Sequence, residues 1–281
     1  MRGVGVAGLL AVCGLAGFAG SGCAGAGAPT PDPYATPANR SGAIRLTHSS
    51  IAGGLPSESV LGVASFFLPP GPDATDPWPA HGACAVASTA PIASATPASF
   101  LDAGALVTLT TGAASLQLDR FESADGAILY VTGAAVDPAS ILAGDRFDLA
   151  FPGGAGSNAL PPATIAGVVN IPPALALAQP DFSAGAVTLE RNGFNVTWSS
   201  AGDGDVEIRL AISGSNGAAT LVCATGDGGG FHAGPELLAG LPSGSGTLSV
   251  TRRVSTQTAL TSSTVLVGEG DWIEGGAVTL P

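Results

Sequence analysis

The chain contains no lysine and few charged residues of either sign. Charged residues make up 11% of its 281 residues, against about 25% in ordinary soluble domains. Without lysine, Schiff-base catalysis and Ser-Lys dyads are excluded. Acidic residues outnumber arginines 21 to 9, and the formal net charge is −12. A chain of this sign repels phosphate, which argues against nucleic acid as a partner.

Known catalytic motifs are missing as well. No Gly-x-Ser-x-Gly elbow, P-loop or His-Glu-x-x-His motif occurs, and the chain has only three histidines, His48, His81 and His232. Nothing selects any of them for a catalytic triad. The sequence therefore predicts no catalytic residue, no cofactor and no enzyme.

The first residues have the pattern of an export signal. A positive start at Arg2 precedes the apolar stretch Val4–Phe18, which at about 15 residues is too short to cross a bilayer as a helix. Small residues then lead to Cys23, so residues 1–22 are predicted to be a signal peptide. This ending resembles the lipobox of bacterial lipoproteins, which implies cleavage before Cys23 and acylation of that residue. Ordinary secretion, with cleavage after Ala28, is the alternative.

Residues 23–42 are rich in glycine and proline, which favours a flexible tether. The resemblance implies that this tether holds the protein at the cell envelope through a lipid anchor in the membrane. In the Gram-negative lipoproteins that this segment resembles, aspartate after the cysteine commonly means inner-membrane retention. Ala24 stands there in this chain, so the resemblance implies the outer membrane. A secreted protein remains the alternative location.

The remaining chain alternates apolar and polar residues with a period of two, which is typical of half-buried strands. The clearest stretches are 116–119, 146–151, 194–199, 206–212 and 247–251. Dipeptides such as Asn192-Gly193 and Asn216-Gly217 favour tight turns. Only Pro235–Gly240 has helix signals, with proline at its start and glycine at its end. The prediction is an all-β fold, an antiparallel β-sandwich.

Two domains are expected, residues 43–177 and residues 178–281, separated near Pro180. The second contains Trp198 on an early strand and about seven predicted strands, and it resembles an immunoglobulin or fibronectin type III module. It lacks the Cys-Trp-Cys pattern of antibody domains, because Cys223 is its only cysteine. Two immunoglobulin-like domains in tandem are therefore expected.

The remaining cysteines allow three states. Cys84 and Cys223 can form a disulfide, which an oxidising export compartment favours, or remain separate thiols. Together with His81 and His232 they have the residue types of a tetrahedral zinc site. All three possibilities stay open at the level of the sequence.

Acidic clusters and one tryptophan complete the candidate sites. Asp203, Asp205 and Glu207 form the densest cluster, with Asp145/Asp148 and Glu269/Asp271 as others. Such clusters could contribute to a calcium site, which needs six to eight oxygen ligands. Each of them is also compatible with an ordinary polar turn. Trp78 lies in a predicted loop, where it either stacks on a sugar ring or packs on its own domain.

The expected function is that of a non-catalytic, lipid-anchored envelope protein, acting as a structural, adhesion or ligand-binding module. Its partners would be the membrane, through the anchor, and an envelope protein or a glycan. The alternatives are an exported hydrolase of polysaccharide or ester on a β scaffold, and a metal-binding module. Because sandwiches host many functions, the fold does not decide among these.

Overall fold

A computed structural model describes residues 40–53, 58–68, 81–88, 99–124, 126–202, 204–262 and 264–281. The predicted signal peptide, the tether as far as residue 39, the lipidation site Cys23, and Trp78 lie outside these ranges, as does Asp203 of the densest acidic cluster.

The described chain consists almost wholly of strands. Eight precede residue 171, and their bounds are β1 (Arg40–Ala52), β2 (Glu58–Phe66), β3 (Cys84–Ser88), β4 (Leu106–Thr110), β5 (Ser115–Glu122), β6 (Ile128–Thr132), β7 (Arg146–Phe151) and β8 (Ala163–Asn170). Eight follow it: β9 (Leu177–Gln179), β10 (Val187–Thr188), β11 (Phe194–Trp198), β12 (Asp205–Gly214), β13 (Gly217–Gly226), β14 (Gly230–Ala233), β15 (Gly244–Ala259) and β16 (Val265–Leu280). The predicted short helix is present as α1 (Pro235–Leu238), and a 3-10 turn covers Pro138–Ser140.

The strands form a large sheet and a small one. The order in the large sheet is β3-β13-β12-β15-β16-β1-β2-β6-β5-β4-β7-β8, with β10 beside β16, and the small sheet is β14-β11-β9. Most neighbours are antiparallel, whereas β1 and β10 each run parallel to β16. The all-β, antiparallel-rich prediction is confirmed.

The first hydrophobic core lies between the strands β1, β2 and β4 to β8. It is built from the alternate residues that the sequence pattern singled out, such as Leu116 and Leu118 of β5 and Phe147 and Leu149 of β7, all 0–1% exposed. Tyr130, Phe66 and Phe147 are its largest fully buried aromatic members. Burying alternate residues fixes the register of each strand, because a slip by one residue would turn its apolar side chains outwards.

The second core lies between the large and the small sheet, and this pair of sheets forms a sandwich. The large sheet contributes the alternate apolar residues of β12, including Ile208 and Leu210, while the small sheet contributes Val196 and Trp198 of β11. Trp272 packs against both cores. Apart from Leu266 of β16, which belongs to the first core, the buried members of the two cores divide along the chain between Ile171 and Leu175, close to the predicted domain boundary.

The large sheet nevertheless crosses that boundary. Strand β1 pairs with β16, and the short edge strand β3 pairs with β13. The division into residues 43–177 and 178–281 stays a prediction.

The connections follow the turn residues in part. Strands β12 and β13 form a tight hairpin through Ser215 and Asn216, and Gly217 begins β13 with φ of 120°. Gly193 also has positive φ, but β10 and β11 on either side of it join different sheets. Glycine and asparagine tolerate the positive φ that tight turns require. Such residues therefore predict where the chain turns, but they do not predict which strands pair.

No helix in the described ranges is long and apolar enough to cross a membrane.

Candidate functional site

A polar cleft of about 530 Å³ opens at one end of the first core. Arg120 and Glu122 of β5, with Gly126 and Ile128, form one side, the segment before β4 forms the floor, and the loop between β7 and β8 forms the other side. Its lining is made mostly of polar and small residues: Ser99, Phe100, Asp102, Arg120, Glu122, Gly126, Ile128, Ala155, Gly156, Ser157 and Asn158.

Backbone hydrogen bonds hold the floor and the β7–β8 loop together. Asp102 N–H donates to Asn158 O at 2.9 Å, and Leu160 N–H donates to Asp102 O at 2.8 Å. A Cβ on Gly154 would lie 2.1 Å from Asp102 O, so only glycine permits this approach. Gly104, with φ of +109°, also lies close to Gly153, because a Cβ on Gly104 would lie 2.5 Å from Gly153 O. These contacts preform the walls of the cleft.

Tyr130 anchors the floor from inside the core. Its hydroxyl accepts a hydrogen bond from Ala103 N–H at 2.8 Å and lies 3.1 Å from both Asp102 Oδ1 and Gly104 O, to either of which it can donate. Burial raises the pKa of Tyr130 to about 12, and the neighbouring Asp102 carboxylate acts in the same direction. Tyr130 is therefore a fixed, neutral donor beneath the cleft.

The charged groups of the cleft form a line of two carboxylates with an arginine between them. Arg120 Nη2 donates to Glu122 Oε2 at 2.8 Å, and Arg120 Nε lies 3.5 Å from Asp102 Oδ1. Hydrogen bonding to Glu122 raises the pKa of Arg120, against the effect of burial. Among the described residues, buried Arg120 Nε has no hydrogen-bond partner.

Asp102 stays ionised. Burial alone would raise its pKa, but hydrogen bonds from Gly104 N–H and the Tyr130 hydroxyl, together with the charge of Arg120, lower it overall. A general acid of a glycoside hydrolase needs the opposite, a carboxyl group with a raised pKa. Asp102 can accept hydrogen bonds from a ligand, but it is poorly suited to donate a proton.

Cys84 and Cys223 are joined by a disulfide, and their Cα atoms are 4.1 Å apart. They lie directly opposite each other on β3 and β13, so the bond fastens the edge strand to the sheet. Neither sulfur carries a thiolate for metal ligation in this state.

The two histidines of the candidate zinc site have other partners. His81 is exposed and its Nδ1 lies 2.8 Å from Asp205 Oδ1, while His232 Nδ1 lies 2.8 Å from Asn195 Oδ1 on β11. Within the described ranges, no three His, Cys, Asp or Glu side chains are placed to hold a metal ion. His81, Cys84, Cys223 and His232 are thus not brought together as one ligand set.

The described acidic residues of the predicted clusters lie in ion pairs or accept hydrogen bonds from backbone N–H groups. Glu269 contacts Arg45 at 2.6 Å, and Asp271 receives two hydrogen bonds from Arg253, at 2.6 and 3.0 Å. Asp271 and Arg253 are both buried. In the other clusters, Glu207 pairs with Arg209, Asp145 accepts from Leu142 N–H, and Asp148 accepts from Gly167 N–H.

Sequence reasoning missed a second buried ion pair, Arg252 with Asp227. Arg252 donates from Nε and Nη2 to Asp227 at 2.8 and 3.1 Å, from Nη1 to Pro173 O and Ala174 O, and from Nη2 to Ser199 O. Trp198 Nε1–H donates to Asp227 Oδ1 at 2.7 Å. The adjacent arginines Arg252 and Arg253, inside a strand of a chain with so few charges, were the available signal.

No protein-family model matches this chain, and no curated protein matches it.

Proposed function

We propose that this chain is an exported, lipid-anchored protein of the bacterial cell envelope, at the outer membrane, which binds a ligand without transforming it. The export and anchor parts rest on the sequence pattern that ends at Cys23. The body is proposed to be two immunoglobulin-like domains in tandem, in keeping with the two cores and with Trp198 on an early strand of the second.

The observation that carries the non-catalytic part is the charge arrangement of the cleft. Asp102 and Glu122 both face Arg120, and the pKa of Asp102 is lowered rather than raised. This arrangement suits recognition, because it presents fixed donors and acceptors to a ligand. It does not favour the exported hydrolase, which needs a protonated carboxyl group beside the bond to be cleaved. The disulfide likewise disfavours the metal-binding alternative, because it removes both thiolates.

The experiment that tests the proposal is the intact mass of the protein recovered from the membrane of the bacterium that makes it, with and without reductant. A chain that begins at Cys23 and carries acyl groups supports the anchor. A chain that begins at Pro29 without lipid overturns it in favour of secretion. A gain of two hydrogens on reduction identifies the Cys84–Cys223 bond, whereas no gain would leave two thiols.

A panel of ester and polysaccharide substrates tests the non-catalytic part. We expect no turnover by the purified chain. Hydrolysis that is lost on replacing Asp102 or Glu122 would overturn this part and favour the hydrolase.

A further inference from the structure

The electrostatics of the polar cleft select against charged ligands. Asp102 and Glu122 outnumber Arg120, so the cleft carries one net negative charge inside a chain of net charge −12. An anion such as a phosphate or a uronate would be repelled. A cation gains little, because the guanidinium of Arg120 already lies between the two carboxylates.

The hydrogen-bonding groups of the cleft suit a ligand that both donates and accepts. Asp102 and Glu122 only accept hydrogen bonds, Arg120 only donates, and Asn158 can do both. Hydroxyl groups have this dual capacity, and neighbouring hydroxyls on one ring can bond to an acceptor and a donor at the same time. Phe100 and Ile128 add a small apolar surface against which the C–H face of a ring can lie.

The cleft is also rigid enough to bind a small ligand. Its floor and the β7–β8 loop share three backbone hydrogen bonds, including Gly153 N–H to Ala103 O at 3.1 Å, and Tyr130 holds the floor from below. A preformed site avoids much of the entropy cost of ordering loops on binding. Its volume of about 530 Å³ lies within the range of small-molecule sites.

We infer that this cleft binds a neutral saccharide, with Asp102 and Glu122 accepting from ring hydroxyls and Arg120 and Asn158 donating to them. The inference rests on the proposed ligand-binding function and names its ligand class. The shared chemistry is that of neighbouring hydroxyls on an uncharged pyranose, whether free or at the end of a polysaccharide.

The test is binding by the full chain in a detergent without a sugar headgroup, measured by saturation-transfer NMR and calorimetry. The probes are glucose, galactose, mannose, N-acetylglucosamine and their oligomers, with glucuronate as the anionic counterpart. We expect saturable binding of at least one neutral saccharide and none of glucuronate. Binding to oligomers but not to the free sugar identifies a polysaccharide as the source.

Variants place the binding in the cleft. Arg120→Ala and Asn158→Ala should each weaken the affinity about tenfold or more, because each removes hydrogen bonds to the ligand. Asn158 is exposed, so its side chain can be removed without disturbing the core. Gln117→Ala, on an exposed position of the same strand as Arg120, is the matched control and should stay within about twofold.

The inference is overturned if the folded chain binds no saccharide of the panel, or if Arg120→Ala and Asn158→Ala both bind as the unaltered chain does. Its failure differs from that of the proposed function. Cleavage of a bound saccharide would overturn the non-catalytic proposal and leave the ligand class standing. An anchored chain that binds no saccharide would overturn the ligand class and leave the proposed function standing.

Discussion

Arg252 and Asp227 show how this chain stabilises a charge inside an apolar body. Both residues are almost wholly buried, at 2% exposure each. Burying ions is costly unless their hydrogen bonds are satisfied. Arg252 directs its donors to Asp227 and to carbonyl groups of the connection between the two cores and of the strand end after β11. The pair therefore links β15 to three other segments.

Removing one member should be severely destabilising. Arg252→Met leaves Asp227 buried without its countercharge, and we expect the free energy of unfolding to fall by about 3–5 kcal/mol. Urea unfolding measures the change. Arg146→Met is the matched control, since Arg146 is exposed on β7, and it should change stability by less than about 0.5 kcal/mol. Equal effects of the two substitutions would contradict a stabilising role for the buried pair.

His48 gives the protein a dependence on pH. Its ring stacks on Trp272, with centroids 4.0 Å apart, and its Nδ1 has no hydrogen-bond partner in the described part of the chain. Burial lowers the pKa of His48, partly offset by the charge of Glu58. The unfolded chain thus takes up this proton first, and stability present above about pH 6.5 is lost as the pH falls through that value.

We therefore expect His48→Gln to lose less stability than the unaltered chain between about pH 7 and about pH 5.5, as measured by urea unfolding at each pH.

Glu274 changes the stability with pH in the opposite direction. Burial raises its pKa despite a hydrogen bond from Trp272, so its contribution is present at low pH and is lost as the pH rises through its folded pKa. Glu274→Gln should therefore still lose the stability that protonation of His48 costs as the pH falls. If His48→Gln lost as much stability on acidification as the unaltered chain, that loss would be due to other titrating groups.

At the scale of elements, the sequence predicted where strands occur better than which strands pair. The alternation of Val206, Ile208 and Leu210 marks β12, since burial on one face needs a period of two. The pairings of β3 with β13 and of β1 with β16 join segments more than 130 residues apart. Such contacts depend on the arrangement of the whole sheet, and no local pattern encodes them. The cleft was missed for the same reason, because Asp102, Arg120 and Asn158 lie on three separate segments.

Glycines on β16 allow β8 to cross it closely. A Cβ on Gly270 would lie 1.9 Å from Asn170 O, and one on Gly268 would lie 1.7 Å from Val168 O. Gly270→Ala should force the strands apart and lower the free energy of unfolding by about 1–3 kcal/mol or more. Gly112→Ala, where an added Cβ meets nothing within 4 Å, is the control and should be nearly neutral. Equal melting temperatures for the two variants would show that β8 moves aside without cost.

At the scale of the molecule, most of the described arginines pair with carboxylates. Arg252 and Arg253 are buried in ion pairs, and Arg45, Arg120 and Arg209 also contact carboxylates. The cations are therefore largely neutralised, and the remaining surface charge is acidic. An acidic surface argues against attachment by attraction to anionic lipid headgroups, and attachment by a lipid anchor stays a proposal.

The course of unfolding tests the domain organisation. Strand β16 supplies Leu266 to the first core and Val278 and Leu280 to the second, and it pairs with β1 from the start of the described chain. A first domain of residues 43–177 would lack this strand. We therefore expect the two proposed domains to unfold together in one cooperative transition, with equal calorimetric and van't Hoff enthalpies. Two separate transitions would contradict this coupling, because they would show that each core remains folded when the shared strand no longer joins them.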